Sequence, residues 1–132
     1  MDIPVELSRI IINEGSDQQI IVVREKAGQR SFPIVIGIVE IFAIDRRLKG
    51  ILPPRPMTHD LLQSVIEQMG GKVARIDITD LQNHTFFAKL TIETDSKQIE
   101  VDCRPSDAIA LGVATKAPLF VSEEVFEKVL KQ

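Results

Sequence analysis

The chain has a single cysteine and lacks both tryptophan and tyrosine. One cysteine cannot form an internal disulfide, so a reducing compartment, the cytoplasm, is expected. No run of about 18 apolar residues is present, which argues against a membrane-spanning helix. The first residues have neither the basic region nor the apolar core of a signal peptide. The sequence therefore predicts a cytoplasmic protein with no membrane partner.

An excess of positive charge is also absent. The chain has 16 Lys and Arg against 19 Asp and Glu, a net charge of −3. Proteins that bind nucleic acid mainly by neutralising phosphates are usually basic. Base stacking would depend on the six phenylalanines, most of which lie in apolar patterns. Any nucleic-acid function would therefore rest on a local patch or a small catalytic site.

What the chain does have is the composition of one globular domain. It is 132 residues long, 44% apolar and 27% charged, and residues 1–132 are expected to form a single domain. Four helices are predicted, one over residues 37–48 and the others beginning at the N-caps Thr58, Ser106 and Ser122. Seven segments have the pattern of strands, at residues 5–13, 19–25, 32–36, 73–81, 85–93, 97–103 and 118–121.

The order of these segments decides the fold class. Strands outnumber helices and do not alternate with them regularly, which is typical of α+β proteins. Residues 73–103 show clean apolar–polar alternation with tight turns, and this predicts an antiparallel meander. We therefore expect a compact α+β domain, in which about four helices pack on a largely antiparallel sheet.

The junction from Asp102 to Asp107 carries the densest chemistry in the sequence. It places two carboxylates and the Arg104 guanidinium where a strand passes into a helix. Asp102 and Asp107 could hold a divalent metal or act as acid and base, with Arg104 on a phosphate. Alternatively, Ser106 and Asp107 cap the helix and Arg104 pairs with an aspartate. The pattern alone leaves both interpretations open.

A second junction contains a histidine. His59 follows Arg55 at a predicted helix start and could act as a general base, because its ordinary pKa lies near neutrality. The alternative is an exposed residue in the first helical turn, beside an Asp60 that stabilises the helix dipole. Cys103 falls on the apolar side of its strand, so an inert buried thiol is expected.

Charges around the first helix form a third group. Glu40 stands in an apolar stretch and would need a partner if buried, and Arg47 lies on the same predicted helix face. Arg46, Arg47, Lys49 and Arg55 form the main basic concentration of the sequence. They represent either a phosphate-binding patch or a solvated helix end with favourable dipole interactions.

Several of these segments together resemble a known family. The shared pieces are residues 32–37 with Glu40, residues 54–62, residues 80–81 followed by 85–86, and residues 102–111 with the run 118–121. On these motifs the chain closely resembles the bifunctional nuclease domain family over residues 32–125. The resemblance implies a compact α+β domain, a homo-oligomer, and DNase and RNase activity on nucleic acid.

The resemblance also carries individual polar positions. Family members usually have another small residue at the position of Cys103, which argues against catalysis by that thiol. The polar positions that this chain shares with the family are Glu40, Arg55, His59, Asp80, Asp102, Arg104, Ser106 and Asp107.

Two functions follow as hypotheses. In a nuclease, Asp102 and Asp107 would hold Mg²⁺ or Mn²⁺ and His59 would be the base, while Glu40 completes the catalytic group. Phosphate contacts would come from five basic residues and one serine, namely Arg46, Arg47, Lys49, Arg55, Arg104 and Ser106. In a non-catalytic module, the same junctions would bind a small anionic ligand or a partner protein. The two differ in whether the carboxylates and His59 converge in space.

Overall fold

A computed structural model describes residues 2–131, which form seven strands and four helices. The strands are β1 (Asp2–Ile11), β2 (Gln19–Glu25), β3 (Ser31–Ile36), β4 (Lys72–Gln82), β5 (Thr85–Glu93), β6 (Gln98–Cys103) and β7 (Leu119–Ser122). The helices are α1 (Ile38–Leu48), α2 (Thr58–Gln68), α3 (Pro105–Thr115) and α4 (Glu123–Lys131).

All these strands belong to one sheet, in the order β3-β2-β1-β7-β4-β5-β6. Neighbouring strands are antiparallel except for β4 and β7, which are parallel. The α+β class, the helices and the antiparallel β4-β5-β6 meander are confirmed. The short strand β7 joins the two halves of the sheet by lying between β1 and β4, a pairing that the apolar patterns do not specify.

The sheet curls around its helices. Phe86 on β5 stacks on Phe32 on β3 with ring centroids 5.4 Å apart, although four strands separate β3 from β5 in the sheet order. Phe126 on α4 meets the same Phe32 ring edge-on at 5.3 Å. These aromatic contacts hold the tip of the β4–β5 hairpin against the β3 edge.

The small residues of α3 allow it to lie directly on the sheet. Its middle residues, including Ala108, Ala110 and Gly112, are buried. A side chain at Gly112 would place its Cβ 2.1 Å from the Ile76 Cδ1 atom on β4. The close backbone approach expected from the small side chains is thus confirmed, and it brings the second half of α3 against β4.

Two of the predicted helix caps are wrong. The N-cap of α2 is Met57 rather than Thr58, because the Asp60 carboxylate accepts the Met57 N–H at 2.9 Å from inside the helix. The N-cap of α3 is Arg104 rather than Ser106, because Pro105 already has the backbone angle of a first helical residue. Ser106 therefore lies inside the helix, and its hydroxyl has no capping role.

Within the part of the chain that the structure describes, no helix combines the length and the apolar character needed to cross a membrane.

Candidate active site

A cleft of about 1260 Å³ lies between the outer faces of α1 and α2 and the sheet residues of β5 and β6. Its walls are largely apolar and include Phe42, Leu62, Leu90 and Val101. Polar side chains enter it where α1, α2 and α3 begin and where β6 ends, namely Glu40, His59, Asp102, Arg104 and Asp107. The cleft therefore contains every residue of the predicted catalytic group.

Four of these side chains form one connected network. His59 Nε2 lies 2.9 Å from Asp107 Oδ1. Arg104 donates from Nε to Asp107 Oδ2 at 2.9 Å and pairs through Nη2 with Glu40 Oε1 at 3.2 Å. Since the four residues come from three different helices and one helix cap, only the folded chain assembles them.

Glu40 reaches this network because of the glycine before its helix. Gly37 is the N-cap of α1, and a Cβ at that position would lie 2.4 Å from Glu40 Oε2. The carboxylate thus folds back over the start of α1, where the positive end of the helix dipole favours a negative charge. Its partner is Arg104, so the expectation that Arg47 pairs with Glu40 is wrong.

The charge state of Asp107 sets the tautomer of His59. Burial raises the pKa of Asp107, but hydrogen bonds from Arg104 and His59 outweigh burial and bring the pKa below its ordinary value. At neutral pH the carboxylate is ionised and can only accept hydrogen bonds, so the His59 proton lies on Nε2. Asp107 therefore holds the imidazole in one orientation and one tautomer.

The second ring nitrogen of His59 is then available for chemistry. Residues 2–131 supply no hydrogen-bond partner for Nδ1, yet none of their buried side-chain nitrogen or oxygen atoms lacks a partner. Nδ1 therefore keeps some contact with solvent, and His59 lines the cleft although the residue is only 8% exposed. An oriented imidazole with an accessible lone pair is the arrangement of a general base.

The same residues offer little room for a metal ion. Both oxygens of Asp107 already accept hydrogen bonds, and Glu40 is paired with Arg104. Across residues 2–131, no three His, Cys, Asp or Glu side chains are grouped as metal ligands. In this arrangement the residues do not fit a resident Mg²⁺ or Mn²⁺. Metal binding by Asp102 and Asp107 stays a prediction.

The predicted phosphate patch on α1 is largely engaged by the protein itself. The Arg47 side chain, only 5% exposed, donates to the Ala110 carbonyl at 2.6 Å and pairs with Asp60. Arg46 pairs with Asp60 at 3.1 Å, and Lys49 pairs with Asp45 at 3.0 Å. These contacts occupy the positive charges, so phosphate binding by Arg46, Arg47 and Lys49 stays a prediction with no support from their placement.

The remaining predicted positions lie outside the network. Arg55 is exposed on the connector between α1 and α2. Asp80 lies on β4, where the hydrogen bond from Lys128 lowers its pKa to about 2. Burial raises the pKa of the Cys103 thiol to about 11, with smaller contributions from the charges of Asp102 and Asp107. Cys103 is thus a protonated, poorly nucleophilic thiol at neutral pH.

The apolar walls of the cleft are the part of the site that sequence reasoning missed. Phe42 is 45% exposed and Leu62 is 42% exposed, although both repeat at the spacing of core residues. The available signal was the width of the apolar face on α1 and α2, which exceeds what one packed interface covers. That signal cannot distinguish a cleft wall from a core contact.

Comparisons with known proteins identify the family of this chain. The model of the bifunctional nuclease domain matches residues 21–132. An uncharacterised protein of Mycobacterium tuberculosis is 37% identical over 116 residues, which cover 88% of this chain and 69% of that protein. Bifunctional nuclease 1 of Oryza sativa subsp. indica is 25% identical over 109 residues, covering 80% of this chain but 33% of that protein.

A second plant relative, bifunctional nuclease 1 of Arabidopsis thaliana, is 24% identical over 94 residues, covering 69% of this chain and 29% of that protein. This chain therefore spans about a third of the plant nucleases that it matches. The family match covers the whole network from Glu40 to Asp107, together with all four helices. The chain belongs to the bifunctional nuclease domain family.

Proposed function

We propose that this protein is a nuclease that hydrolyses phosphodiester bonds in DNA and RNA. The observation that carries the proposal is the His59–Asp107 pair, in which Asp107 binds Nε2 and His59 lines the cleft. Membership of the bifunctional nuclease domain family supports the substrate class. Plant relatives named as bifunctional nucleases support the same class at lower identity.

The geometry supports a general-base mechanism. A water molecule in the cleft gives its proton to His59 Nδ1 as its oxygen attacks the phosphorus. The bond from phosphorus to the leaving sugar oxygen breaks, that oxygen takes a proton from solvent, and the His59 imidazolium then releases its proton to solvent. Asp107 stabilises the imidazolium that forms, because its ionised carboxylate accepts the Nε2–H. Arg104, with a side chain that is 66% exposed, faces the charge that develops on the phosphate oxygens.

Glu40 is a positioning residue in this scheme, since it holds Arg104 from the α1 side. Attack by water does not require a 2′-hydroxyl, so one site can act on both DNA and RNA. No step of the proposed reaction passes through a metal ion.

The test is cleavage of plasmid DNA and a single-stranded RNA by purified protein, with Mg²⁺, Mn²⁺ or EDTA. His59→Gln should reduce cleavage by about a hundredfold or more, because it removes the base. Glu127→Gln is the matched control, since Glu127 is exposed on α4 and lies outside the cleft.

Each outcome of this experiment has a distinct meaning. Cleavage that persists in EDTA and falls in His59→Gln supports the base mechanism. Cleavage that EDTA abolishes contradicts it and favours a metal site at Asp102 and Asp107. Cleavage by His59→Gln at the rate of the Glu127→Gln control assigns the activity to a contaminant or to another site.

A binding module is the second candidate function. Its support is the apolar lining of the cleft, with Arg46 and Arg104 among the lining residues. Such a cleft suits a ligand with an apolar body and one anionic group. The absence of cleavage under every condition, with thermal stabilisation by such a ligand, would favour this function over the nuclease.

We further propose that the protein forms a homo-oligomer through its α1–α2 side. Leu52, Leu61 and Met69 are 89%, 58% and 81% exposed there. The chain exposes 8147 Å², against about 6,900 Å² expected for a folded monomer of 14.7 kDa. The excess exceeds the roughly 800 Å² per partner of a standard interface.

Sedimentation velocity tests the oligomer directly. Leu61→Glu should shift the protein towards the monomer, whereas Leu130→Glu, which changes an exposed leucine of α4, should not. A wild-type protein that sediments as a monomer at micromolar concentration would contradict the proposal.

We propose that this activity is cytoplasmic. The single cysteine supports a reducing compartment. Cell fractionation with detection of the native protein is the corresponding measurement.

A further inference from the structure

A second groove, of about 840 Å³, lies between the β3 edge of the curled sheet and the β4–β5 hairpin. One wall is the end of β3 with Gly37, and the opposite wall is the tip of the β4–β5 hairpin with His84 and Phe86. Arg104, Pro105 and Ser106 at the start of α3 also line it. Arg104 thus borders both the candidate active site and this groove.

The start of α3 presents unused backbone donors. Pro105 has no N–H, and the first hydrogen bond of the helix is Ala108 N–H to Arg104 O at 3.2 Å. The N–H groups of Ser106 and Asp107 have no acceptor within residues 2–131, and the N-cap Arg104 makes no side-chain cap bond. Two donors and the positive end of an eleven-residue helix therefore lie together.

The Ser106 hydroxyl adds an independent observation. Ser106 is 5% exposed, and its Oγ atom makes no hydrogen bond within the described chain. Because buried side-chain oxygens without a partner are absent from residues 2–131, Oγ must open into the groove that Ser106 lines. A buried serine hydroxyl that bonds to no other group of the protein does not stabilise the fold through a hydrogen bond.

The hairpin tip brings a further donor to the opposite wall. Asn83 and His84 have φ angles of 50° and 63°, as in the tight two-residue turn of a hairpin. This turn holds the exposed His84 ring at the groove. The carboxylates of Glu40 and Asp107 instead pair with Arg104 and His59 at the other cleft. Asp17 is the carboxylate on this side.

From this arrangement we infer that the groove is a phosphate-binding subsite. The phosphate oxygens accept hydrogen bonds from Ser106 Oγ and from the N–H groups of Ser106 and Asp107, and Arg104 faces the same group. Hydrogen-bond donors from a helix start, a hydroxyl and a guanidinium suit a phosphomonoester or phosphodiester. That the phosphate belongs to a nucleic-acid strand extending from the active site rests on the proposed nuclease function.

Binding of inorganic phosphate tests the subsite without any need for cleavage. In ¹H–¹⁵N NMR spectra at constant ionic strength, the amide signals of Ser106 and Asp107 should shift on titration with phosphate. Ser106→Ala should weaken binding about tenfold, because it removes a hydrogen bond to a charged group. Ser64→Ala on α2 is the control and should leave the affinity unchanged.

Two results would overturn the subsite: phosphate that leaves the α3 amide signals in place, or a Ser106→Ala protein with wild-type affinity. Both are separate from a failure of the nuclease proposal, which His59→Gln tests through cleavage. A dinucleoside monophosphate, which carries one phosphodiester, and a nucleoside, which carries none, identify the source of the group. Binding of the dinucleoside monophosphate that is tighter than that of inorganic phosphate, and that weakens in Ser106→Ala, assigns a nucleic-acid strand. Binding no tighter than that of the nucleoside would overturn the assignment.

Discussion

Two neighbouring residues of α2 enter two different clusters of arginines and carboxylates. Asp60 joins Arg46 and Arg47 against α1, in a group where the Arg47 side chain is 5% exposed. His59 joins Asp107 and Arg104 in the cleft, where the Arg104 side chain is 66% exposed. The residue types are similar, but the first cluster is closed to solvent and the second is open to it.

Closure decides what each cluster can do. In the Asp60 cluster, Arg47 contacts Ala110 O, Asp60 and Gln63, so its donors are used inside the protein. In the His59 cluster, one ring nitrogen and a large part of a guanidinium face solvent. The first cluster connects α1, α2 and α3, whereas the second can meet a substrate. Variants in the two clusters should therefore separate stability from activity.

The largest effect is expected from Arg47→Met. Removing the guanidinium leaves the Ala110 carbonyl without its partner and weakens the Asp60 contacts, which should lower the free energy of unfolding by about 3 kcal/mol. Urea unfolding measures this loss. Lys49→Met is the control on the same helix and should change the stability by less than about 0.5 kcal/mol, because its ion pair with Asp45 is exposed. An equal loss of unfolding free energy in the two variants would contradict the distinction between the buried Arg47 and the exposed Lys49.

Asp107→Asn should show the opposite behaviour. The amide keeps the shape of the side chain but cannot hold His59 as the Nε2–H tautomer in the same way, so cleavage should fall about a hundredfold. The free energy of unfolding should fall by about 1 kcal/mol. Cleavage rates of folded protein and urea unfolding are the two measurements, with Glu127→Gln as the control. A loss of activity that only parallels the loss of stability would remove the contrast between the clusters.

The fold was largely predictable because local patterns set most of it. The alternating residues of β4, β5 and β6 and the apolar spacing of α1 and α2 locate these elements to within about one or two residues. The parallel pairing of β4 with β7 was not predictable from local patterns. The two strands are far apart in the sequence, and β7 follows α3, whose packing on the sheet is a long-range contact. The N-caps were misplaced because Asp60 and Pro105 make their helices begin one or two residues earlier than expected. Asp60 binds the Met57 N–H, and Pro105 takes the first helical position.

The polar residues that line the cleft were predictable from the sequence, but their pairing and the apolar walls were not. The motifs around His59 and Asp107 select residue types, and the fold brings them to one cleft. The expected partner of Glu40 was Arg47, on the same helix face, but Arg104 occupies that place because α3 begins beside Gly37. Sequence spacing describes neighbours on one helix and cannot describe contacts between helices.

Acid should weaken both clusters. Burial raises the pKa of Asp60, but hydrogen bonds from the Met57 backbone and Arg46 outweigh it, and the pKa falls below its ordinary value. The pKa of Asp107 is lowered in a similar way. Carboxyls with a depressed pKa stabilise the fold above the unfolded-state value of about 3.9, and this stability is lost as the pH falls through the folded-state pKa.

Urea unfolding between pH 6 and pH 3 measures this dependence. The free energy of unfolding should decrease below about pH 4 in the wild type. Asp60→Asn and Asp107→Asn should each flatten the decrease. A wild-type stability that is constant across this range would contradict the role of both carboxylates.

The smallest effect is expected at Cys103, which lines the cleft but belongs to neither cluster. Burial raises its pKa to about 11, so the thiolate that a nucleophile requires is scarce at neutral pH. Cys103→Ala should therefore leave cleavage within about twofold of the wild type, since the proposed reaction uses the His59 imidazole as its base and has no step at the thiol. The folded protein should also react slowly with a thiol reagent at pH 7.5, and unfolding in guanidinium should restore the reaction. Rapid labelling that abolishes cleavage in the wild type, together with an inactive alanine variant, would transfer the catalytic role from His59 to this thiol.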